Sequence, residues 1–398
     1  MGKFILHSDM NHYFAAVETI DHPEYADIPM AVCGDPATRH GIILAKNDAA
    51  GKCGIMTGES VYSAKQKAPG LTLVNADYNK YVHYAKLARA LYAEYGVDVI
   101  PYGLDEAWIV LKDYVTSYEK AAETAFEIKE QIKNELKLTT SVGVSYNYIF
   151  SKLASDLKKP DAVTVLRKDD LKTVIWNIPA FDLLFVGPAT RKKLKNLNIL
   201  TIGDLAQSDP ALLKRRFGKS GIALWQFANG DDSSFDPKVP ADMPFKSFGN
   251  TITLPKDTSS EDDLLLMLYI LARAVNSRLI KHSLEARCIG INLKYGDFTA
   301  IIRQTTLDRH TADETSIFLN AKLLFEKNYI KDNPVRSIGI HLNDLQDNRF
   351  GQLSLLSEEE NVPPDIKAVI AELKERLGNF ELNKSAMTTD EDIGLNIL

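Results

Sequence analysis

The sequence predicts an α+β fold divided among several domains, and three observations carry that expectation. At 398 residues with 45% apolar composition, the chain holds more buried material than one ordinary core accommodates, so two to four packed units are expected. Short β-branched runs alternate with segments of helical period through the N-terminal part, which suits a mixed or antiparallel sheet backed by helices. From Asn229 to Gly249 the chain is rich in Asp, Ser, Pro and Gly and loses both periods, the mark of a tether between units.

Composition sets several classes aside. Cys33, Cys53 and Cys288 are an odd set without Cys-x-x-Cys spacing, so neither a disulfide framework nor a structural zinc site is expected; all three should be reduced, buried thiols. Phe4-Ile5-Leu6 is far shorter than the apolar core of a signal peptide, and Leu6 stands where a myristoylation signal wants Ser or Thr. No stretch is long and apolar enough to span a bilayer, so a cytoplasmic protein without membrane association is expected. The net charge of −6 resides in the tail, since residues 358–398 hold ten acids and four bases. Residues 183–220 carry eight bases against two acids, a patch available to phosphates despite the overall sign.

Taken in order, Phe4 to Asp9 reads as a buried first strand with Ile5, His7 and Asp9 on one face. Asp9 ends it, where open sheets commonly place their chemistry, and the chain turns into a helix. His7 reads as a satisfied strand histidine rather than a ligand, because hard divalent cations prefer oxygen. A helix is expected from Tyr78 to Tyr95. The apolar runs Val97–Ile100 and Ile109–Leu111 then flank Tyr102-Gly103-Leu104-Asp105-Glu106-Ala107-Trp108. Neighbours on a strand point to opposite faces, so Asp105 and Glu106 can converge only where Pro101 and Gly103 break the pleat. With Asp9 they make three acids, the kind of set that two divalent ions about 4 Å apart require.

Thr116-Ser117-Tyr118-Glu119 has the form of a capping box, and Ala121, Ala125, Ile128, Ile132 and Leu136 follow at helical spacing. A strand over Thr140–Ser145 leads to a helix from Ile149 to Lys158, which Pro160 stops. The segment from Ile178 to Ala206 has the pattern of a helix-hairpin-helix, whose Gly187-Pro188 turn exposes backbone N–H groups at a helix N-terminus to a phosphate. Beyond the tether we expect strand Phe248–Leu254, helix Glu261–His282, strands Ala286–Tyr295 and Phe298–Thr306, helix Ala312–Asn328 and strand Val335–Leu345. This βαββαβ order suits a sheet with helices on one face and the other free. A short amphipathic helix over 363–378 is expected in the tail.

The segments from Asp9 to Glu18 and from Tyr102 to Trp108 resemble the two signature motifs of the Y-family, or translesion, DNA polymerases, and matching motifs continue in order through residue 356, in a manner similar to the DNA polymerase IV-like bacterial branch. The resemblance implies a right-hand polymerase: a palm over 1–22 and 76–168, small fingers over 23–75, a helix-hairpin-helix thumb over 169–230, a linker over 231–247, a little finger over 248–347 and a tail over 348–398. It implies low-fidelity, template-directed addition of deoxynucleotides to a primer 3′ end in lesion bypass. Asp9, Asp105, Glu106 and the Met10 carbonyl would bind two Mg2+ ions, with Mn2+ able to substitute. Glu106 would help position the primer 3′-hydroxyl, and Phe14 matches the steric-gate aromatic that excludes a 2′-hydroxyl. Tyr13, Phe14 and Lys159 match nucleotide-binding positions, with Lys152 a further candidate.

The chain departs from the family pattern in the fingers. Asp48 and Gly51 stand where many relatives grip the triphosphate with Tyr and Arg, leaving Lys46 or Lys52 to take that part. Ile42 and Leu44 are larger than the residues usual over the nascent pair, and Asn11 replaces an acid, as in the other main bacterial branch. Gly187, Ala189, Arg191, Lys192 and Lys195 are expected at the DNA backbone, as are Arg303, Thr305 and Arg336 in the little finger. Gln352-Leu353-Ser354-Leu355-Leu356 resembles the pentapeptide that binds the bacterial sliding clamp, through Gln352, Leu353, Leu355 and Leu356. Primer-template DNA, deoxynucleoside triphosphates and the clamp are thus the expected partners of a monomer. Two rival readings are a DNA- and clamp-binding factor whose fingers no longer hold nucleotide, and a different nucleotidyl enzyme, such as a nucleotide cyclase, on a related palm.

Overall fold

The computed structural model describes residues 3–34, 41–238 and 245–348, so the clamp-like peptide and the helix expected over 363–378 lie outside the described residues. The chain forms two compact units, divided between residues 238 and 245. Among the described residues, no helix is long and apolar enough to cross a membrane.

The first unit opens with β1 (Ile5–Met10), every residue of which is buried, and α1 (Tyr13–Asp21). Next come β2 (Met30–Cys33), β3 (Ile43–Lys46), α2 (Asp48–Lys52), α3 (Val61–Lys67) and β4 (Thr72–Asn75). Strands β3-β2-β4 form a small sheet in which β2 runs antiparallel to β3 and parallel to β4. The pleat of β2 serves two cores: Ala31 and Cys33 pack with Ile43, Ala50, Ile55 and Ala64, while Met30 and Val32 face the main core of the unit. Asn47 caps α2, accepting from Ala50 N at 2.9 Å.

Helix α4 (Tyr78–Tyr95), capped by Asp77, returns the chain to β5 (Gly96–Tyr102) and β6 (Glu106–Leu111). Ser117 then caps α5 (Tyr118–Gln131), one residue later than the box expected at Thr116, and a π-helical turn, Ile132–Leu136, continues it. All five of its expected apolar positions are buried. Next come β7 (Thr140–Ser145), α6 (Tyr148–Leu157) and β8 (Val163–Val165). The central sheet has order β5-β6-β1-β7-β8 and is mixed, β7 and β8 being its parallel pair. Helix α6 lies unusually close to β7, because a Cβ on Gly143 would stand 2.0 Å from the Ser151 carbonyl oxygen and 2.4 Å from Ser155 N.

Four helices complete the unit: α7 (Pro188–Asn196), α8 (Ile202–Ala206), α9 (Pro210–Phe217) and α10 (Lys219–Ala228). They share a core with Ile149, Phe150 and Leu153 of α6. The stretch expected as a tether is fastened at its start. Asp232 Oδ2 accepts from Tyr148 N at 2.9 Å, Lys238 pairs with Asp98, and Phe235 packs on Trp108, Tyr148, Phe185 and Phe227. Phe235, an aromatic in a stretch rich in polar residues, has found an apolar seat that composition does not reveal.

The second unit has β9 (Ser247–Thr258), α11 (Glu261–Lys281), β10 (Leu284–Tyr295), β11 (Ala300–Thr311), α12 (Glu314–Asn328) and β12 (Val335–Asp347), the expected βαββαβ order with longer strands. Its sheet is antiparallel, ordered β11-β10-β12-β9, and one face packs on both helices through Ile289, Ile291, Ile338, Ile340 and the apolar side of α11. Cys33 and Cys288 are buried as expected; Cys53, at the C-terminal end of α2, is exposed, because that short helix ends at the surface.

Candidate active site

The acids meet at a hairpin. Tyr102 pairs with Glu106 and Pro101 with Ala107, so β5 runs regularly through Pro101, which is tolerated because β5 is an edge strand. The break is confined to the turn Gly103–Asp105, opened by Gly103 at φ 84°. Asp105 therefore lies outside the pleat, whereas Glu106 begins β6 directly opposite Asp9 on β1. The Asp105 carbonyl oxygen accepts from Met10 N at 3.0 Å, tying the hairpin to the end of β1. Arg89 on α4 holds the turn from behind, donating from Nη2 to the Gly103 carbonyl at 2.7 Å.

Two lysines face the acids. Lys152 Nζ lies 2.9 Å from Asp9 Oδ2 and 2.8 Å from Glu106 Oε2, and Lys159 Nζ lies 2.7 Å from Asp9 Oδ2. Asp156 contacts both ammonium groups, at 3.4 and 2.7 Å. Burial opposes the Lys152 charge, yet Asp9, Glu106 and Asp156 outweigh it and raise its pKa above the ordinary lysine value. Among the described residues no lysine pairs with Asp105, whose pKa is pushed up to about 7 by burial first and by the Glu106 and Asp9 charges second.

These groups line a cleft of about 420 Å³ together with Met10, His12, Tyr13, Leu44, Ala45, Lys46 and Thr57, a volume within the range of small-molecule sites. Lys46 and Lys159 both reach it; Phe14 and Lys52 do not line it. A Cβ at Gly51 would stand 3.2 Å from Lys46 Nζ, so the absence of a side chain at 51 leaves the room that the Lys46 amine uses. Asp48 is turned to His12, Nε2 to Oδ1 at 3.0 Å.

His7 is fully buried beneath Glu106, its ring against Trp108 and its Nδ1 2.9 Å from Ser155 Oγ. His7 Nε2 lies 3.3 Å from Glu106 Oε2, and His7, Asp9 and Glu106 together offer potential ligand atoms within 4.8 Å of one another. Burial first, then the Lys152 charge, lowers the His7 pKa and keeps the ring neutral at neutral pH. Asn11 is taken up by the start of β7: its amide donates to Thr139 Oγ1, just before that strand, and its oxygen accepts from Ser141 Oγ on it. Tyr13 is core, while the half-buried Phe14 ring stacks on Tyr81, centroids 4.2 Å apart and planes 10° from parallel. Of these residues, sequence reasoning missed Arg89, Asp156, His12 and Tyr81.

The expected DNA contacts fall at three places. Gly187 is the N-cap residue of α7 and supplies no side-chain cap, and Ala189 and Lys192 are exposed beside it; Arg191 lies over the Phe181 ring at 3.9 Å. Arg303 and Thr305 stand opposite Ile291 and Ile289, hence on the helix side of the second sheet, and Arg303 Nε donates to Asn328 Oδ1. The other face at those rows holds Gln304 and Ile302, opposite Gly290 and Asn292. Arg336 sits over the Phe298 ring at 4.9 Å.

Residues 8–156 match the family model described as the impB/mucB/samB family, residues 245–355 match the C-terminal domain of that family, and residues 182–232 match the thumb domain of DNA polymerase-iota. The chain is 40% identical to a DNA polymerase IV of Acetivibrio thermocellus over 100% of both, and 34% identical to DNA polymerase IV 1 of Bacillus subtilis over 98% of this chain and 94% of that one. Among solved structures it is similar in fold to a Y-family DNA polymerase chimera, with a TM-score of 0.75 and 22% identity over 86% of this chain and 98% of that one. DinB from Sulfolobus solfataricus matches at a TM-score of 0.55 and 22% identity, over 85% and 98%.

Proposed function

Because this chain belongs to the impB/mucB/samB family, the Y-family DNA polymerases of the polymerase IV type, we propose that it extends primers across damaged template as a translesion DNA polymerase. The observation that carries the reading is one cleft lined by three carboxylates, Asp9, Asp105 and Glu106, and by three lysines, Lys46, Lys152 and Lys159. Carboxylate oxygens of this kind, in a cleft that Met10 also lines, fit hard divalent cations such as Mg2+ better than softer metals. When bound, a pair of such ions supplies charge for the attacking and leaving oxygens of an in-line displacement.

The chain's own groups do the rest. Asp9 and Asp105, on two elements fixed by the Met10–Asp105 backbone bond, would hold the ions, and Glu106 would complete the set and orient the primer 3′-hydroxyl towards the α-phosphate. Lys46 and Lys159, which both line the cleft, bind the triphosphate and neutralise the pyrophosphate that leaves, Lys46 being better placed for this than Lys52. The Phe14 ring excludes a 2′-hydroxyl. The uncapped N-terminus of α7 at Gly187 takes a DNA phosphate, with Ala189, Arg191 and Lys192 beside it. Arg303 and Thr305 on the edge strand β11, with Arg336 on β12, serve as DNA contacts of the second unit, and Gln352, Leu353, Leu355 and Leu356 engage a sliding clamp. The protein acts in the cytoplasm as a monomer.

Asp105→Asn tests the assignment. It should abolish magnesium-dependent primer extension while leaving primer-template affinity within a few-fold, and extension retained at the wild-type rate rejects the carboxylate roles.

A further inference from the structure

We propose that Tyr81 is a specificity-determining residue of this polymerase: it positions the Phe14 ring in the plane from which that ring excludes a ribose. The inference rests on the reading of Phe14 as the sugar gate. Phe14 has two soft torsions and a ring that is only half-buried, so by itself it could swing aside when a 2′-hydroxyl presses on it. A face-stacked partner removes that freedom, provided the partner cannot move.

Tyr81 is built not to move. Its side chain is 0% exposed, its hydroxyl donates to Glu18 Oε1 at 2.7 Å, and its own carbonyl oxygen accepts from the Tyr13 hydroxyl. Glu18 lies one helical turn beyond Phe14 on α1 and is itself buried, an expensive place for a carboxylate unless it is paired. It is paired twice, to the Tyr81 hydroxyl and to Lys80 Nζ at 3.0 Å, and Lys80 reaches on to Asp21 at 2.6 Å. Tyr78 closes the cluster edge-on, 5.8 Å from Phe14 and 6.0 Å from Tyr81. Tyr81 and Glu18 are both buried, so neither offers a surface to substrate, and the network they form lies directly behind the half-buried Phe14 ring.

The test is single-nucleotide incorporation with a deoxynucleotide and its ribonucleotide counterpart, read as the ratio of the two kcat/KM values so that general losses of activity cancel. Tyr81→Leu should lower discrimination about tenfold, the share a lost aromatic stack can account for, and Tyr81→Phe, which keeps the ring, should restore most of it. In a Phe14→Ala background, Tyr81→Leu should change nothing further, because its effect passes through the Phe14 ring. Unchanged discrimination in Tyr81→Leu, or an equal loss in both backgrounds, overturns the role of Tyr81. If Phe14→Ala alone leaves sugar selection intact, the gate reading fails instead. Should Tyr81→Leu not fold, Tyr81→Met, whose flexible chain refills the space without a flat face, takes its place with the same outcomes.

Discussion

Divalent cation binding should strengthen as pH rises through neutrality, and Asp105 is the cause. Its carboxyl is held protonated up to about pH 7, against an ordinary value of 3.8, by burial and by the neighbouring Glu106 and Asp9 charges. A protonated carboxyl offers no anionic ligand, so below that pH an entering ion must displace a proton and above it none. The ionised fraction of such a group is about one tenth at about pH 6 and about nine tenths at about pH 8, so apparent affinity should rise about tenfold across that window and then level off. The measurement is a Mn2+ titration of the DNA-free protein, following free ion by electron paramagnetic resonance. Calorimetry in two buffers of different ionisation heat would count the protons released. Asp105→Asn should bind the ion more weakly and lose the slope. An affinity that is flat from about pH 6 to about pH 8 in the unmodified protein, or a slope that survives Asp105→Asn, would refute the reasoning.

Other consequences follow from the same geometry. Lys46→Met should raise the KM for deoxynucleotide by about tenfold or more, as expected for a charge-assisted contact of about 1.5–3 kcal/mol, while Lys52→Met should leave it within about twofold; steady-state incorporation decides between them. Gly143→Ala forces a methyl group into backbone atoms of α6 and should destabilise the protein by about 3 kcal/mol or more, measured by denaturant unfolding; a loss below about 1 kcal/mol would mean the helix yields easily. Deleting residues 352–356 should leave distributive synthesis intact and cancel stimulation by added clamp, and equal stimulation of the truncated chain counts against that peptide.

Much of the site was legible before the fold. Asp9, Asp105 and Glu106 stand out because acids at strand ends and turns next to apolar runs are chemically conspicuous, and the βαββαβ order followed from periodicity alone. What could not be read were partnerships between distant positions. Arg89 and the Gly103 carbonyl belong to different elements, and nothing in a helical lysine–alanine–arginine pattern says which residue reaches a turn. Glu18 carried a usable signal: an acid one turn after Phe14, on the face that also carries Tyr13 and Val17, implies a buried partner. The departures at Asp48 and Gly51 were visible as letters, but their meaning, room for the Lys46 amine and a partner for His12, exists only in three dimensions. The Pro101 reading failed because an edge strand asks less of its N–H groups than a central one.

The contact between Gly143 and α6 has an implication for anyone who re-engineers this protein. That helix carries Lys152 and Asp156 and leads directly to Lys159, so the distance from sheet to helix also fixes how far the cations stand from the acids. A library aimed at altered fidelity should leave position 143 untouched, since even one added carbon would shift an entire row of charge. Variation is better directed to positions 46, 48 and 51, which lie away from that helix and where Lys46 reaches the cleft past a glycine.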